Sequence, residues 1–162
     1  MLLADTMAVV FSVLGICLTF PAFWLLLYGL FPGMVLAAAE IAPKKRWLAF
    51  LIGLPIVVTI TIAAGLASKL PEPIGGLFVI ALISISLTLA NLGLSGLVFE
   101  LGRRLRNSGW QPESAKDMLT GSFVLVLSFV LPVVGWFFLL PLAITMGFGI
   151  FVRTLFKKKA KA

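Results

Sequence analysis

Histidine is absent from this sequence, cysteine occurs once, and charged residues make up only 12% of the chain. Without histidine, the chain lacks the commonest protein ligand of metal ions and the usual proton carrier near neutral pH. The single Cys17 has no partner within the chain, which excludes an intrachain disulfide, a CxxC redox motif and a cysteine zinc site. We therefore expect no cofactor and no metal site.

The motifs of common catalytic sites are also missing. The chain contains no Walker-type phosphate-binding loop, no GxSxG nucleophile motif, no HExxH zinc motif and no paired carboxylates. Its long hydrophobic stretches carry no acidic or basic residue in their interiors, which weighs against a pump or a proton-coupled transporter. We therefore expect no catalytic residues and a protein that is not an enzyme.

Apolar residues dominate instead. They make up 61% of the 162 residues, whereas soluble proteins contain about 45–50%. The apolar residues form four blocks, at 7–39, 47–67, 74–99 and 118–152, and a basic tail follows at 153–162. This pattern predicts an all-α integral membrane protein, built as a single transmembrane bundle of at least four hydrophobic segments.

The lengths of the blocks divide them into two kinds. The second and third blocks fit single helices, because about 20 residues cross the hydrocarbon core. The first and fourth blocks would be on the order of 50 Å long as straight helices, against a core of about 30 Å. Each has a proline near its middle, Pro21 and Pro132. Each block therefore either crosses in a tilted or kinked form or turns back as a helical hairpin.

The distribution of the 13 basic residues distinguishes these topologies. If every block crossed once, the basic residues would divide almost evenly between the two sides. If the fourth block turns back near Pro132–Trp136, all of them except Lys69 share one side, as cytoplasmic loops require. The sequence therefore predicts a hairpin in the fourth block and a cytoplasmic C-terminus. The first block stays open between a single kinked crossing and a hairpin, which its length and Pro21 slightly favour.

The third block contains one ordered pattern of small and polar residues. Its members follow one another at steps of three and four: Ala81, Ser84, Thr88, Asn91 and Ser95. This spacing places them on one helix face, where small and hydroxyl residues let helices approach closely and hydrogen-bond. We interpret the pattern as a packing seam, either within the chain or between copies of it. The alternative is a polar lining for a transport path.

Basic residues border the blocks and predict contacts with anionic lipid headgroups. The expected contacts are Lys44, Lys45, Arg46, Arg103, Arg104, Arg106, Lys157, Lys158 and Lys159. These residues lie at membrane exits without interleaved aromatic residues, so we expect no nucleic-acid partner. Glu40 and Glu100 end the first and third blocks near these clusters, and we expect them to pair with Lys44, Arg103 or Arg104.

Three segments carry a resemblance to a known group of proteins. They are WLAFLIGLP at 47–55, LANLGLSGLVFELGRRL at 89–105, and MLTGSFVLVLSFVLPVVGWFFLLPLAITMGFG at 118–149. Together they resemble the small multi-span membrane region of bacterial proteins that also carry a bactofilin-type, polymer-forming domain. The resemblance covers about residues 47–151 and implies a bacterial inner membrane. The chain contains no β-repeat polymerising domain, so polymerisation is not implied.

These observations favour one function over two others. The favoured hypothesis is a non-enzymatic scaffold, an assembly or accessory subunit, or a membrane-shaping component. Its partners would be anionic lipids and either further copies of itself or a larger membrane protein complex. The alternative is a small transporter or channel subunit with a Ser/Thr/Asn-lined path along the third segment. A lipid-modifying enzyme is the least favoured, because the membrane segments contain neither acids nor histidine.

Overall fold

A computed structural model describes residues 2–44, 46–71, 73–105 and 114–159. These residues form, in order, α1 (Leu2–Leu30), α2 (Pro32–Ile41), α3 (Arg46–Ala67), α4 (Ile74–Leu105), α5 (Ser114–Val130), the short α6 (Pro132–Val134), a π-helical turn (Gly135–Leu139) and α7 (Leu140–Lys159).

Helix is the only regular structure in the described residues. Four helical stretches are long and apolar enough to cross a membrane: Asp5–Leu30, Arg46–Ala67, Ile74–Leu105 and Gly135–Lys157. The hydrocarbon core of a bilayer offers no water to hydrogen-bond the backbone. A continuous helix pairs its backbone N–H and C=O groups internally, so apolar stretches of this length are stable there as helices. The prediction of an all-α bundle with at least four hydrophobic segments is confirmed.

Helix α7 packs between α3 and α4, and its glycines show the directions of all three helices. Ala49 of α3 lies beside Gly149, and Gly53 lies beside Thr145, so α3 and α7 are antiparallel. A short turn after Ala67 brings the start of α4 back against the end of α3, so these two are also antiparallel. Helices α4 and α7 therefore run in the same direction.

Helix α5 runs the opposite way along α4. The carbonyl oxygen of Asp117 lies beside Gly102, and that of Val98 lies beside Gly121. The start of α5 therefore lies at the end of α4. At the same end of the bundle, the Arg153 guanidinium donates a hydrogen bond of 2.9 Å to the carbonyl oxygen of Lys44. The fourth block therefore enters and leaves at one end, and the predicted hairpin is confirmed.

The turn of this hairpin uses the residues around Pro132. Leu131 is extended (φ −62°, ψ 114°), as expected for a residue that precedes proline. Pro132 then begins a new helical turn, where its missing N–H has no cost. At Gly135, an added Cβ would lie 2.4 Å from the carbonyl oxygen of Phe129, so the returning chain passes directly against α5.

The first block passes once along the bundle instead of turning back at Pro21. Helix α1 continues through Pro21, and the chain breaks at Phe31 (φ −129°, ψ 52°), where Pro32 begins α2. Trp24 contacts Asn91, and Tyr28 stacks on Phe99, so α1 runs in the same direction as α4. Proline is tolerated inside membrane helices, because neighbouring groups satisfy the freed backbone carbonyl.

The bundle thus has two chemically different ends. We call the end that carries Lys44, Arg46, Arg103, Arg104 and Arg153 the basic end, and the opposite end, with Asp5 and Lys69, the far end. Within the described ranges, Lys69 is the one basic residue at the far end.

Packing is much denser near the basic end. Between Leu92 and Gly102, almost every residue of α4 is buried, whereas between Ile74 and Leu89 only Gly75 and Ser86 are buried. In α1, every side chain from Asp5 to Ile16 is exposed. The hairpin and α2 account for this difference, because both pack along the basic half of α4.

We expect Gly147→Ala to lower the free energy of unfolding by about 1–3 kcal/mol, the usual cost of overpacking a core. The new methyl group would lie 2.4 Å from the carbonyl oxygen of Ala90. Gly65→Ala is the matched control, because nothing lies within 4 Å of a Cβ there. Unfolding in mixed detergent micelles, followed by tryptophan fluorescence, measures both. Equal stability of the two variants would contradict this account of the packing.

The hairpin also predicts the sidedness of three positions. In a Cys17→Ala background, cysteines at Ala115 and Phe156 are expected to react from one side of sealed vesicles with a membrane-impermeant maleimide. A cysteine at Lys69 is expected to react from the other side. Reaction of positions 115 and 156 from opposite sides would mean that the fourth block crosses the membrane.

Candidate functional site

Carboxylates and cations form ion pairs at the basic end. Glu100 is 5% exposed and accepts contacts from two residues of its own helix, Arg103 and Arg104. The Nε of Arg104 lies 2.7 Å from Oε1 of Glu100. A buried carboxylate needs such partners, because desolvation of its charge is costly. The expected pairing of Glu100 with Arg103 and Arg104 is confirmed.

Glu40 has a partner that the sequence did not identify. The Nζ of Lys157 lies 2.7 Å from Oε2 of Glu40, which ties the end of α2 to the last turns of α7. The two residues are 117 positions apart in the chain, so no local spacing connects them. Together with the hydrogen bond from Arg153 to the Lys44 carbonyl oxygen, this pair holds α7 beside the α2–α3 connection.

The residues expected to contact anionic lipid have different surroundings. The side chains of Lys44, Arg46, Arg103 and Arg104 are exposed at the basic end, and that of Lys157 is partly exposed. Lys45 and Arg106 lie outside the described residues, as do the side chains of Lys158 and Lys159. Arg103, Arg104 and Lys157 reach their carboxylate partners while remaining accessible to the surroundings.

The five residues of the third-block pattern divide into two groups. Ser95 is buried and Asn91 is partly buried, whereas Ala81, Ser84 and Thr88 are exposed on the part of α4 nearer the far end. The Thr88 hydroxyl donates to the carbonyl oxygen of Ser84 in its own helix (2.9 Å), and Ser95 donates to Leu92 (2.7 Å). The structure thus brings Asn91 and Ser95 into the bundle and leaves the other three outside.

A cavity of about 390 Å³ lies where the hairpin ends against α1 and α4. Its lining comes from α1 between Val13 and Trp24, from α4 between Leu87 and Leu94, and from the hairpin between Phe129 and Ile144. Asn91 is the one lining residue with a side-chain amide. The volume falls in the range of small-molecule pockets, about 300–1,000 Å³.

One hydrogen bond in the lining of this cavity joins α1 to α4. The indole Nε1–H of Trp24 donates to Oδ1 of Asn91 at 3.0 Å, and Nδ2 of Asn91 donates to the carbonyl oxygen of Leu87 at 2.9 Å. Trp24 itself is 0% exposed. Sequence reasoning identified Asn91 but missed Trp24, although an indole in the middle of an apolar block needs a partner for its N–H.

Comparisons with protein-family models, with curated proteins and with solved structures found no match. The function is therefore argued from the bundle itself.

The Trp24–Asn91 hydrogen bond predicts an energetic coupling between α1 and α4. In a double-mutant cycle of Trp24→Phe and Asn91→Leu, we expect a coupling of about 0.6 kcal/mol, and at most about 1.7, as for hydrogen bonds between other membrane helices. Unfolding in mixed detergent micelles measures it. A control cycle combines Trp24→Phe with Thr88→Val, because the Thr88 hydroxyl hydrogen-bonds within α4 and not to α1. If the two cycles give the same coupling energy, the Trp24–Asn91 hydrogen bond does not hold the helices together.

Proposed function

We infer that this protein is a non-enzymatic membrane component that shapes the bilayer and serves as a scaffold or accessory subunit. The observation that carries this proposal is the unequal number of helices in the two halves of the bundle. Six helical segments meet near the basic end, from α1, α2, α3, α4, α5 and α7. Among the described residues, α1, α3 and α4 extend past the hairpin turn toward the far end. For α3 and α4 the additional length is about one to two helical turns, because the contacts of Gly53 with Thr145 and of Gly93 with Gly147 set the level of the turn.

The length of the hairpin explains this inequality. The apolar part of α5, Met118–Val130, rises by about 20 Å at about 1.5 Å per residue. The returning arm is longer, since its apolar residues 135–152 would rise by about 27 Å, against a hydrocarbon core about 30 Å thick. We therefore place the turn within the core, short of its far surface. Phe137, which is 75% exposed, and Trp136 and Phe138 surround the turn and suit an apolar environment.

A protein with more volume in one leaflet than in the other behaves as a wedge. The additional helices at the basic end displace lipid from that leaflet, so its area grows relative to the leaflet at the far end. The bilayer then bends with the basic leaflet on the convex side. This is the physical basis of the proposed membrane-shaping activity.

The orientation follows from the charges. Short basic segments remain in the cytoplasm, so we place the basic end and the C-terminus there, in a bacterial inner membrane, as the bactofilin-type resemblance implies. Anionic lipid in that leaflet would contact the exposed side chains of Lys44, Arg46, Arg103 and Arg104, at about 1 kcal/mol for each charge near the surface.

Assembly with other membrane helices would use the far half. Ala81, Ser84 and Thr88 are exposed on α4 there, and small residues on a membrane helix permit close approach of another helix. We therefore include a homo-oligomer or a larger membrane complex in the proposed function. A transport path along α4 has less support, because Asn91 alone of the five pattern residues lines the cavity.

Sorting between flat and curved membranes tests the wedge. In a Cys17→Ala, Phe156→Cys variant, an impermeant dye labels molecules whose basic end faces outward from giant vesicles, and a permeant dye of another colour then labels the rest. When a thin tube is pulled from the vesicle, we expect the outward-facing molecules to be enriched on the tube and the inward-facing ones to be depleted. The enrichment is expected to grow as the tube narrows.

Each orientation is the control for the other, because sequence, lipid and tube are identical. Equal partitioning of the two populations would contradict the membrane-shaping proposal and leave the scaffold or accessory function to be tested by co-purification of partners.

A further inference from the structure

The cavity between α1, α4 and the hairpin has a buried floor and an exposed rim. Trp24, Ala90 and Leu94 form the floor and are at most 4% exposed. Leu87 and Val13 belong to the rim, and Leu87 is 42% exposed. The cavity is therefore a pocket that is open on one side, and not a closed defect in the packing.

The mouth of the pocket faces the far end. Helix α1 runs toward the basic end, so Val13 lies about 16 Å farther from that end than Trp24 does, at about 1.5 Å per residue. Leu87 and Leu94 show the same order along α4, which runs in the same direction. Both pairs lie within helices long enough to span a membrane, so the pocket opens at the level of the lipid chains.

The lining decides which molecule fits. The polar side-chain groups of the lining are Asn91 and the indole N–H groups of Trp24 and Trp136, and Trp24 donates its N–H to Asn91. An apolar pocket does not hold ordered water, and an empty one would lose the dispersion contacts of its lining. The apolar molecule present at this depth of a bilayer is lipid.

We propose that this pocket binds one hydrocarbon chain of a phospholipid from the leaflet at the far end. The chain enters past Leu87 and Val13, and its terminal methyl group points toward Trp24 and Leu94. A hydrocarbon chain bound between α1 and α4 also fills the space that the short hairpin leaves between its turn and the far end.

Quenching of Trp24 by brominated lipid chains tests the proposal, because bromine quenches indole fluorescence only at short range. The variant Trp47→Phe, Trp110→Phe, Trp136→Phe retains Trp24 alone. In bilayers of phosphatidylcholine brominated near the chain end, we expect Trp24 to lose fluorescence, although the side chain is 0% exposed. Bromination near the carbonyl group is expected to quench it less.

Two further variants show whether the chain reaches Trp24 through the pocket. Leu87→Phe adds bulk at the rim and is expected to restore Trp24 fluorescence. Leu77→Phe, the same substitution on an exposed position of α4 outside the pocket, is expected to leave the quenching unchanged. Ala143→Leu, which fills the wall from α7, is expected to act like Leu87→Phe.

Two results would overturn the proposal. One is unquenched Trp24 fluorescence in brominated bilayers while a single-tryptophan variant that retains the exposed Trp136 is quenched. The other is quenching of Trp24 that neither Leu87→Phe nor Ala143→Leu reduces. An unchanged emission maximum of Trp24 in unbrominated lipid is required of each variant, so that loss of the fold is not mistaken for a blocked pocket.

Discussion

The contact of helix backbones at glycine is the interaction on which the rest of this bundle depends. Gly149 lets α7 lie against Ala49 of α3, and Gly147 lets it lie against Ala90 of α4. Inside a bilayer, helices gain little from burying apolar surface, because lipid is equally apolar, and close van der Waals packing holds them together instead. Two glycines that face opposite neighbours therefore join the hairpin to both α3 and α4.

The position of this contact determines where the bundle is dense. Because α7 is held near the basic end and α5 is short, the hairpin turns before the far ends of α1 and α4, and those parts of the two helices have few neighbours. The pocket beside Trp24 and the unequal number of helices in the two halves are two consequences of one short hairpin. Ion pairs such as Lys157 with Glu40 hold its outer end in place.

Much of the fold was predictable from the sequence, because hydrophobic length and basic charge are local properties. The four blocks, the turn near Pro132 and the pairing of Glu100 with its neighbouring arginines all depend on residues close together in the chain. The path of the first block was not predictable, since Pro21 and Pro32 both lie in apolar surroundings, and only the packing of α2 against Gly96 of α4 places the break at Phe31.

The candidate site depended on the tertiary structure to a greater degree. The spacing of Asn91 and Ser95 indicates a shared helix face. It does not indicate how far along α4 other helices pack on that face, and Thr88 lies on the part that is exposed. Trp24 and Asn91 are 67 residues apart, so no periodicity relates them. The sequence by itself determined that the chain is a membrane helical bundle with one basic end, because composition and charge do not depend on neighbours. Only the tertiary structure decided where the pocket lies, because a pocket exists only between helices that are distant in sequence.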